Sequence, residues 1–157
     1  MSDHAGPPCR RNAASAALNR IMPDGLLHLQ RCTDCGAVQY PPRELCGNCL
    51  ATELQWHSLP GDGTIIAVTS IHHSLEEFFR ARLPWRIASV HLDAGPVVFA
   101  HLAPGDADAG QRVQVATARD RSGAWCLVTL AAHATRNRQG VIETLVSLGL
   151  HNDDDQQ

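Results

Sequence analysis

Four cysteines in two Cys-x-x-Cys pairs constrain the fold of this chain more than any other feature. Cys32 and Cys35 form the first pair, Cys46 and Cys49 form the second, and ten residues lie between them. Both sulfurs of such a pair can face one ion, so two pairs complete the tetrahedral thiolate set that zinc prefers. Four thiolates leave no position for water or substrate, so the predicted zinc is structural. An iron site of the rubredoxin kind uses the same ligands and stays open as an alternative.

The chain termini and the hydropathy pattern predict a cytoplasmic protein without a membrane span. The N-terminus reads MSDHAGPPCRRN and lacks the apolar run of a signal peptide, and no run of about 18 apolar residues follows. Disulfides are rare in the reducing cytoplasm, where clustered cysteines are more often metal ligands. The compartment therefore favours metal binding over a disulfide framework.

The segment around the cysteines, residues 26–58, is predicted to be a zinc ribbon that folds with its metal. It is rich in turn-forming residues and has too few large apolar side chains to bury a core of its own. Gly36 and Gly47 are expected to supply the positive φ angles that let the backbone fold back under the ion. Metal binding and folding of this segment should therefore be coupled.

A small β-barrel is predicted over residues 59–133, flanked by helical pieces. Five short β-branched runs alternate with turn sequences, which is typical of such barrels. The predicted strands are Thr64–Ile71, Ile87–Leu92, Val97–Leu102, Arg112–Ala118 and Ala124–Leu130. Helical residues and spacing predict a helix over Arg10–Met22 in an N-terminal region 1–25, a helical turn over Ser74–Arg82 and a helix over Gly140–Leu150 in a C-terminal extension 134–157.

A family resemblance follows from the residues around the cysteines and after them. The matching residues are Leu29-Gln30-Arg31-Cys32-x-x-Cys35-Gly36, Pro41-Pro42-Arg43-x-x-Cys46-x-x-Cys49, Trp56 and Gly61-Asp62-Gly63-Thr64. With these, the chain resembles the acyl-CoA-associated family that joins a rubredoxin-like zinc ribbon to an OB-fold, over roughly residues 25–130. The resemblance implies a mainly β protein with an N-terminal helix, the ribbon and a five-stranded OB barrel.

The resemblance also implies a function. Members of the family are typically non-catalytic subunits that bind a thiolase-fold enzyme, stabilise it and help to shape its channel for CoA or acyl-CoA. Catalytic residues would then lie on the partner, in a thiolase, acyltransferase or aldolase complex. The residues support a non-catalytic role in part, because the sequence offers no convincing pair of a nucleophile and a general base. The tail helix is a candidate contact with such a partner.

The alternative from a different functional class is a protein that binds single-stranded nucleic acid, since zinc ribbons and OB-folds also bind nucleic acids. The net charge of −3 disfavours a surface that follows phosphates. All 13 basic residues are arginine, which is read mainly as a coding bias. An independent acyl-CoA enzyme is the third possibility.

Three weaker sites accompany these hypotheses. Cys126 and His133 could form a nucleophile and base, although a buried core cysteine is the commoner situation. His72-His73 with Glu76-Glu77 could hold a second metal, but a solvated loop is favoured. Arg80, Arg82 and Arg86 around Pro84-Trp85 could bind CoA phosphates, or pair weakly with the two glutamates at the surface.

Overall fold

The fold consists of a small three-stranded sheet followed by a closed barrel. The computed structural model describes residues 6–7, 13–17, 26–103, 105, 107–130 and 137–151. The sheet contains β1 (Leu27–Cys32), β2 (Val38–Gln39) and β3 (Leu54–Leu59) in the order β2-β1-β3, and both pairings are antiparallel. β1 carries Cys32 at its end, so this sheet holds the cysteine loops.

The barrel contains all five predicted strands, with bounds shifted by at most two residues. They are β4 (Asp62–Ile71), β5 (Trp85–Leu92), β6 (Val97–Leu102), β7 (Arg112–Arg119) and β8 (Trp125–Leu130). They close in the order β4-β5-β6-β8-β7, with β4 pairing back to β7. The β6–β8 contact is parallel and short, limited to His101 with Val128 and Leu102 with Thr129. This confirms a mainly β fold with a five-stranded barrel.

The ribbon and the barrel share one hydrophobic core. Leu27 and Leu29 of β1 are fully or almost fully buried and join barrel residues such as Val90 in a single cluster. Backbone contacts reinforce this union, since the N–H of Thr117 donates to the carbonyl of Leu26 and the hydroxyl of Thr117 accepts from the N–H of His28, at 3.1 and 2.8 Å. The ribbon obtains from the barrel the core that its own composition lacks.

In the part of the chain that the structure describes, three helices accompany the strands. α1 spans Ala13–Ala16 and α2 spans Glu77–Arg80, inside the two predicted helical segments. The rest of the predicted N-terminal helix lies outside the described residues, apart from Ala17. Within the described part of the chain, no helix has the length and apolar character needed to cross a membrane.

The tail helix α3 spans Arg138–Ser147, and Asn137 caps its N-terminus through a side-chain oxygen that accepts from the N–H of Gly140 at 3.1 Å. Its residues Val141 and Leu145 are buried against the outer face of β7 and β8. The tail helix was predicted to contact a partner. Most of its apolar face instead packs on the chain's own barrel.

Candidate metal centre and adjoining groove

The four cysteine sulfurs meet at the end of the ribbon. All four lie within 4.8 Å of one another, and the pairs Cys32–Cys49 and Cys35–Cys46 are each 3.6 Å apart. A disulfide needs about 2.05 Å, whereas a tetrahedral zinc with Zn–S bonds of about 2.3 Å places its sulfurs about 3.8 Å apart. The arrangement fits a zinc ion and brings together all four predicted ligands.

The two cysteine loops have the same backbone form. The N–H groups of Gly36 and Leu50 donate to the carbonyls of Cys32 and Cys46, at 2.9 and 3.0 Å. Gly36 has φ of 73°, as expected, but the second loop takes its positive φ at Leu50, with φ of 64°. The expectation for Gly47 was wrong because the left-handed position follows the second cysteine of each pair, and Gly47 precedes it.

Hydrogen bonds lower the pKa of two of the cysteine thiols, and the neighbouring sulfurs raise the pKa of a third. The side chain of Asn48 is the main cause that lowers the pKa of Cys35 to about 6. Backbone N–H groups of Cys49 and Asn48 lower the pKa of Cys46. The N–H of Ala51 lowers the pKa of Cys49, but the sulfur of Cys35, partial desolvation and two further sulfurs outweigh it and raise that pKa to about 12. Cys49 thus resists ionisation until a cation compensates the charge of the neighbouring sulfurs.

Two glutamines, Gln30 and Gln39, hold the second cysteine loop in place, a role that the sequence analysis did not predict. The side chain of Gln30, which is buried, accepts from the N–H of Arg43 at 2.8 Å and donates to its carbonyl at 3.0 Å. The side chain of Gln39 donates to Gln30 and accepts from the N–H of Gly47, both at 3.0 Å. Each glutamine follows an apolar residue in its strand, and a polar residue at such an alternating position ordinarily faces solvent.

The second metal site considered for His72, His73, Glu76 and Glu77 does not form. All four residues are exposed, in the segment that runs from the end of β4 to the first residue of α2. Among the described residues, the four cysteines are the one group of three or more potential ligands that converges.

Two of the three arginines near Pro84 already bind backbone carbonyls. Arg82 donates to Phe78 at 2.9 Å and lies 4.0 Å above its ring. Arg86 donates to the carbonyls of Gly105 and Ala107, at 2.6 and 3.1 Å. Arg80 is exposed. These arginines therefore support loop structure, which leaves less of their hydrogen-bonding capacity for a phosphate.

An apolar groove of about 340 Å³ lies between the ribbon and the barrel. Tyr40 and Trp56 line it from the ribbon side, and Phe99 and Trp125 line it from β6 and β8. No arginine or carboxylate contributes to its lining among the described residues. The strands on its barrel side include β5 and β6, the second and third strands of the OB barrel, and OB-folds bind oligonucleotides and oligosaccharides on that face.

Cys126 also lines this groove and is half-buried. His133, its proposed base, lies outside the described residues. A different histidine, His101, reaches the groove, and its Nδ1 accepts a hydrogen bond from the indole N–H of Trp85 at 2.9 Å.

A four-cysteine ribbon joined to a closed five-stranded barrel defines the class of zinc-ribbon plus OB-fold proteins. The ChsH2 rubredoxin-like zinc ribbon domain matches residues 24–55, and the ChsH2 C-terminal OB-fold domain matches residues 56–118. The chain therefore belongs to the ChsH2-like family of rubredoxin-like zinc-ribbon plus OB-fold proteins, as the sequence resemblance predicted.

Two known proteins illustrate the family. A DUF35 domain-containing scaffold protein of Methanocaldococcus jannaschii is 30% identical over 88 residues, which are 54% of this chain and 62% of that protein. The solved structure of an Ltp2-ChsH2(DUF35) aldolase has a chain with a TM-score of 0.54 and 23% identity, over 66% of this chain and 83% of that one. The second likeness concerns the fold alone.

Proposed function

We propose that this protein is a non-catalytic accessory subunit of a cytoplasmic thiolase-superfamily complex that acts on acyl-CoA. Cys32, Cys35, Cys46 and Cys49 bind one structural zinc, and residues 26–58 and 59–133 act as a ribbon and a barrel that share a hydrophobic core. The observation that carries the proposal is the order of the two modules, which match the two ChsH2 domains in sequence. A scaffold protein and an aldolase that contains ChsH2 are similar to the chain.

The chemistry of the site supports a structural role. A closed tetrahedron of sulfurs offers no open coordination position for a substrate. The groove beside it is apolar, and its cysteine lies among aromatic side chains without a neighbouring arginine or carboxylate in the described lining.

Reconstitution with a partner tests the proposal. The tagged chain is expected to capture a thiolase-fold enzyme from its native cells, and the recombinant pair should form a hetero-oligomer with higher acyl-CoA turnover than the enzyme alone. Cys46→Ser, which removes one zinc ligand, should reduce both capture and activation, while Cys126→Ser should preserve them. A partner that keeps full solubility and activity without the chain would refute an accessory role. Turnover by the isolated chain that Cys126→Ala abolishes would instead indicate an independent enzyme.

Single-strand binding is the second candidate function, and the aromatic lining of the groove is the observation that favours it. Base stacking on exposed aromatic rings is the usual mode of such proteins, and Arg119 lies 5.0 Å above Trp125. The net charge of −3 and the uncharged lining of the groove oppose this function. It predicts a strongly salt-dependent mobility shift of a single-stranded oligonucleotide, whereas an accessory subunit of the proposed kind gives none.

A further inference from the structure

Another hollow lies between the start of β5 and the C-terminal end of α3. Its volume of about 480 Å³ falls within the range of small-molecule sites, roughly 300–1,000 Å³. The apolar part of its lining includes Trp85 of β5, Leu102 of β6 and Val146 of α3. In the described lining, the charged residues are Arg82 and Arg86, and both are half-buried. The hollow therefore combines apolar surface with two positive charges.

These two arginine charges have no acidic partner. Neither Arg82 nor Arg86 forms an ion pair within the described part of the chain, and the described lining contains no carboxylate. The weak surface pairs with Glu76 and Glu77 that the sequence allowed do not form there. Two like charges in one partly buried hollow repel each other, so an anion between them would be stabilised.

The two guanidinium groups are already held in place. Arg82 donates to the carbonyl of Phe78 and lies over its ring, and a Cβ at Gly149 would come within 3.1 Å of the Arg82 Nε. Arg86 donates to two loop carbonyls. A guanidinium has five N–H groups, and these bonds use one on Arg82 and two on Arg86. Most donors remain, and a ligand would need to immobilise little additional side-chain motion.

The C-terminal end of α3 is the one feature of the hollow that disfavours an anion. Its effect is small, because a helix end carries about half an elementary charge, against two full charges on the arginines. The carbonyls of Thr144 and Val146 also accept backbone N–H groups, at 3.1 and 3.0 Å. The balance of charge in the hollow therefore remains positive.

We propose that this hollow binds a small carboxylic acid, with the carboxylate at Arg82 and Arg86 and an apolar body against Trp85 and Val146. The planar fork of arginine matches the two oxygens of a carboxylate. Burial of a hydrocarbon body against the apolar lining adds to the charge attraction, which a bare inorganic anion would lack. The site is separate from the metal centre and does not depend on the proposed accessory role.

NMR titration of the isotope-labelled, zinc-loaded full chain with phenylpropionate and with phenylpropionamide tests the proposal. The two probes share an apolar body and differ in the negative charge. The acid should bind at least about tenfold more tightly than the amide, because charged hydrogen bonds are stronger than neutral ones. It should also shift the indole N–H signal of Trp85. Equal affinities, or tighter binding of inorganic phosphate than of the acid, would overturn the proposal.

Val146 allows a test that leaves both arginines intact, because it lines the hollow and is 55% exposed. Val146→Glu would place a carboxylate of the chain itself beside the arginines and should weaken binding of the acid at least about tenfold. Val146→Gln is the matched control, since it has nearly the same size without the charge and should weaken binding little. Leu45→Glu adds the same charge on the ribbon and should change nothing. Equal losses in the two Val146 variants would show that shape, and not charge, governs binding.

Arg82→Gln removes one cationic partner and should also lower the affinity for phenylpropionate at least about tenfold. Zinc content and melting temperature verify that the variant folds, and full affinity in the folded variant would refute the site. Asp153→Asn/Asp154→Asn/Asp155→Asn separates a free acid from the chain's own carboxylates. Unchanged affinity supports a free acid, whereas a gain of more than about tenfold would overturn it in favour of the acidic tail.

Discussion

Leu50 occupies a backbone position that glycine fills in the other cysteine loop. Its φ of 64° matches the 73° of Gly36, and its side chain is 73% exposed. A left-handed conformation costs a residue with a Cβ roughly 1–2 kcal/mol. Because the side chain of Leu50 is mostly exposed, its burial offsets little of this cost.

Leu50→Gly should therefore stabilise the zinc-loaded protein by about 0.5–1 kcal/mol, after allowance for the greater flexibility of unfolded glycine. Urea unfolding at fixed zinc concentration measures the change. The reverse exchange, Gly36→Leu, should destabilise by about 1–2 kcal/mol. A loss of stability in Leu50→Gly would show that the leucine side chain makes contacts worth more than the backbone strain.

Gly61, the residue before β4, is required by the close approach of its backbone to Val115 of β7. A Cβ at this position would lie 1.7 Å from the carbonyl oxygen of Val115, while the Gly61 carbonyl accepts from the N–H of Val115 at 2.8 Å. Gly61→Ala must separate β4 from β7 where the barrel closes and should cost about 3 kcal/mol. Gly47→Ala is the control, since its nearest neighbour is the flexible Arg43 at 3.5 Å. Thermal unfolding compares the two, and equal melting temperatures would contradict the close approach.

At the scale of elements, α3 acts as a cover for the barrel. Leu145 is 3% exposed in the cluster that joins α3 to β7 and β8, whereas Val146, one residue later, is 55% exposed. The carbonyl of Leu150, just after the helix, also accepts from the N–H of Arg121 at 2.7 Å.

Leu145→Ala should destabilise the protein by about 3 kcal/mol, because it leaves a cavity between the helix and the sheet. Val146→Ala should change stability by no more than about 0.5 kcal/mol. Circular dichroism during urea unfolding measures both, and zinc content should stay constant. If Val146→Ala were the more damaging of the two, the helix would have to face the barrel by its other side.

The sequence predicted the elements that carry a local signal. The five barrel strands have β-branched runs bounded by turns, and the cysteine pairs contain their own geometry, so both were found. The role of Gln30 and Gln39 was missed because they act across a fold that brings Arg43 and Gly47 to them. The groove was missed for the same reason, since its aromatic residues come from four separate segments: Tyr40, Trp56, Phe99 and Trp125.

On the scale of the whole molecule, the shared core makes the ribbon and the barrel interdependent. Leu27 and Leu29 belong to the ribbon strand β1 but are buried with the barrel residues Ile65 and Val115. A change that releases β1 therefore exposes barrel core as well. The metal at the end of β1 should consequently stabilise more of the chain than the cysteine loops alone.

Removal of zinc tests this interdependence. Structural zinc contributes roughly 10 kcal/mol or more in comparable peptides, which exceeds or matches the stability of most small domains. Chelation of the folded protein should therefore lower the melting temperature of the barrel together with that of the ribbon, in one transition. Cys32→Ser should act in the same way, because Cys32 ends β1 and is a buried ligand. Cys126→Ser, outside the metal site, should keep both zinc and melting temperature.

The fluorescence of Trp56 shows whether loss of zinc unfolds the ribbon alone or the ribbon together with the barrel. This residue lies on β3, opposite Gln30 of β1, and forms the ribbon side of the groove. In Trp85→Phe/Trp125→Phe protein it is the one remaining tryptophan of the chain's three. Its emission should shift to the red on chelation, at the same zinc occupancy at which the barrel loses its cooperative melting. If Trp56 became exposed while the barrel kept its melting temperature, the two modules would be independent, and the metal would govern the ribbon alone.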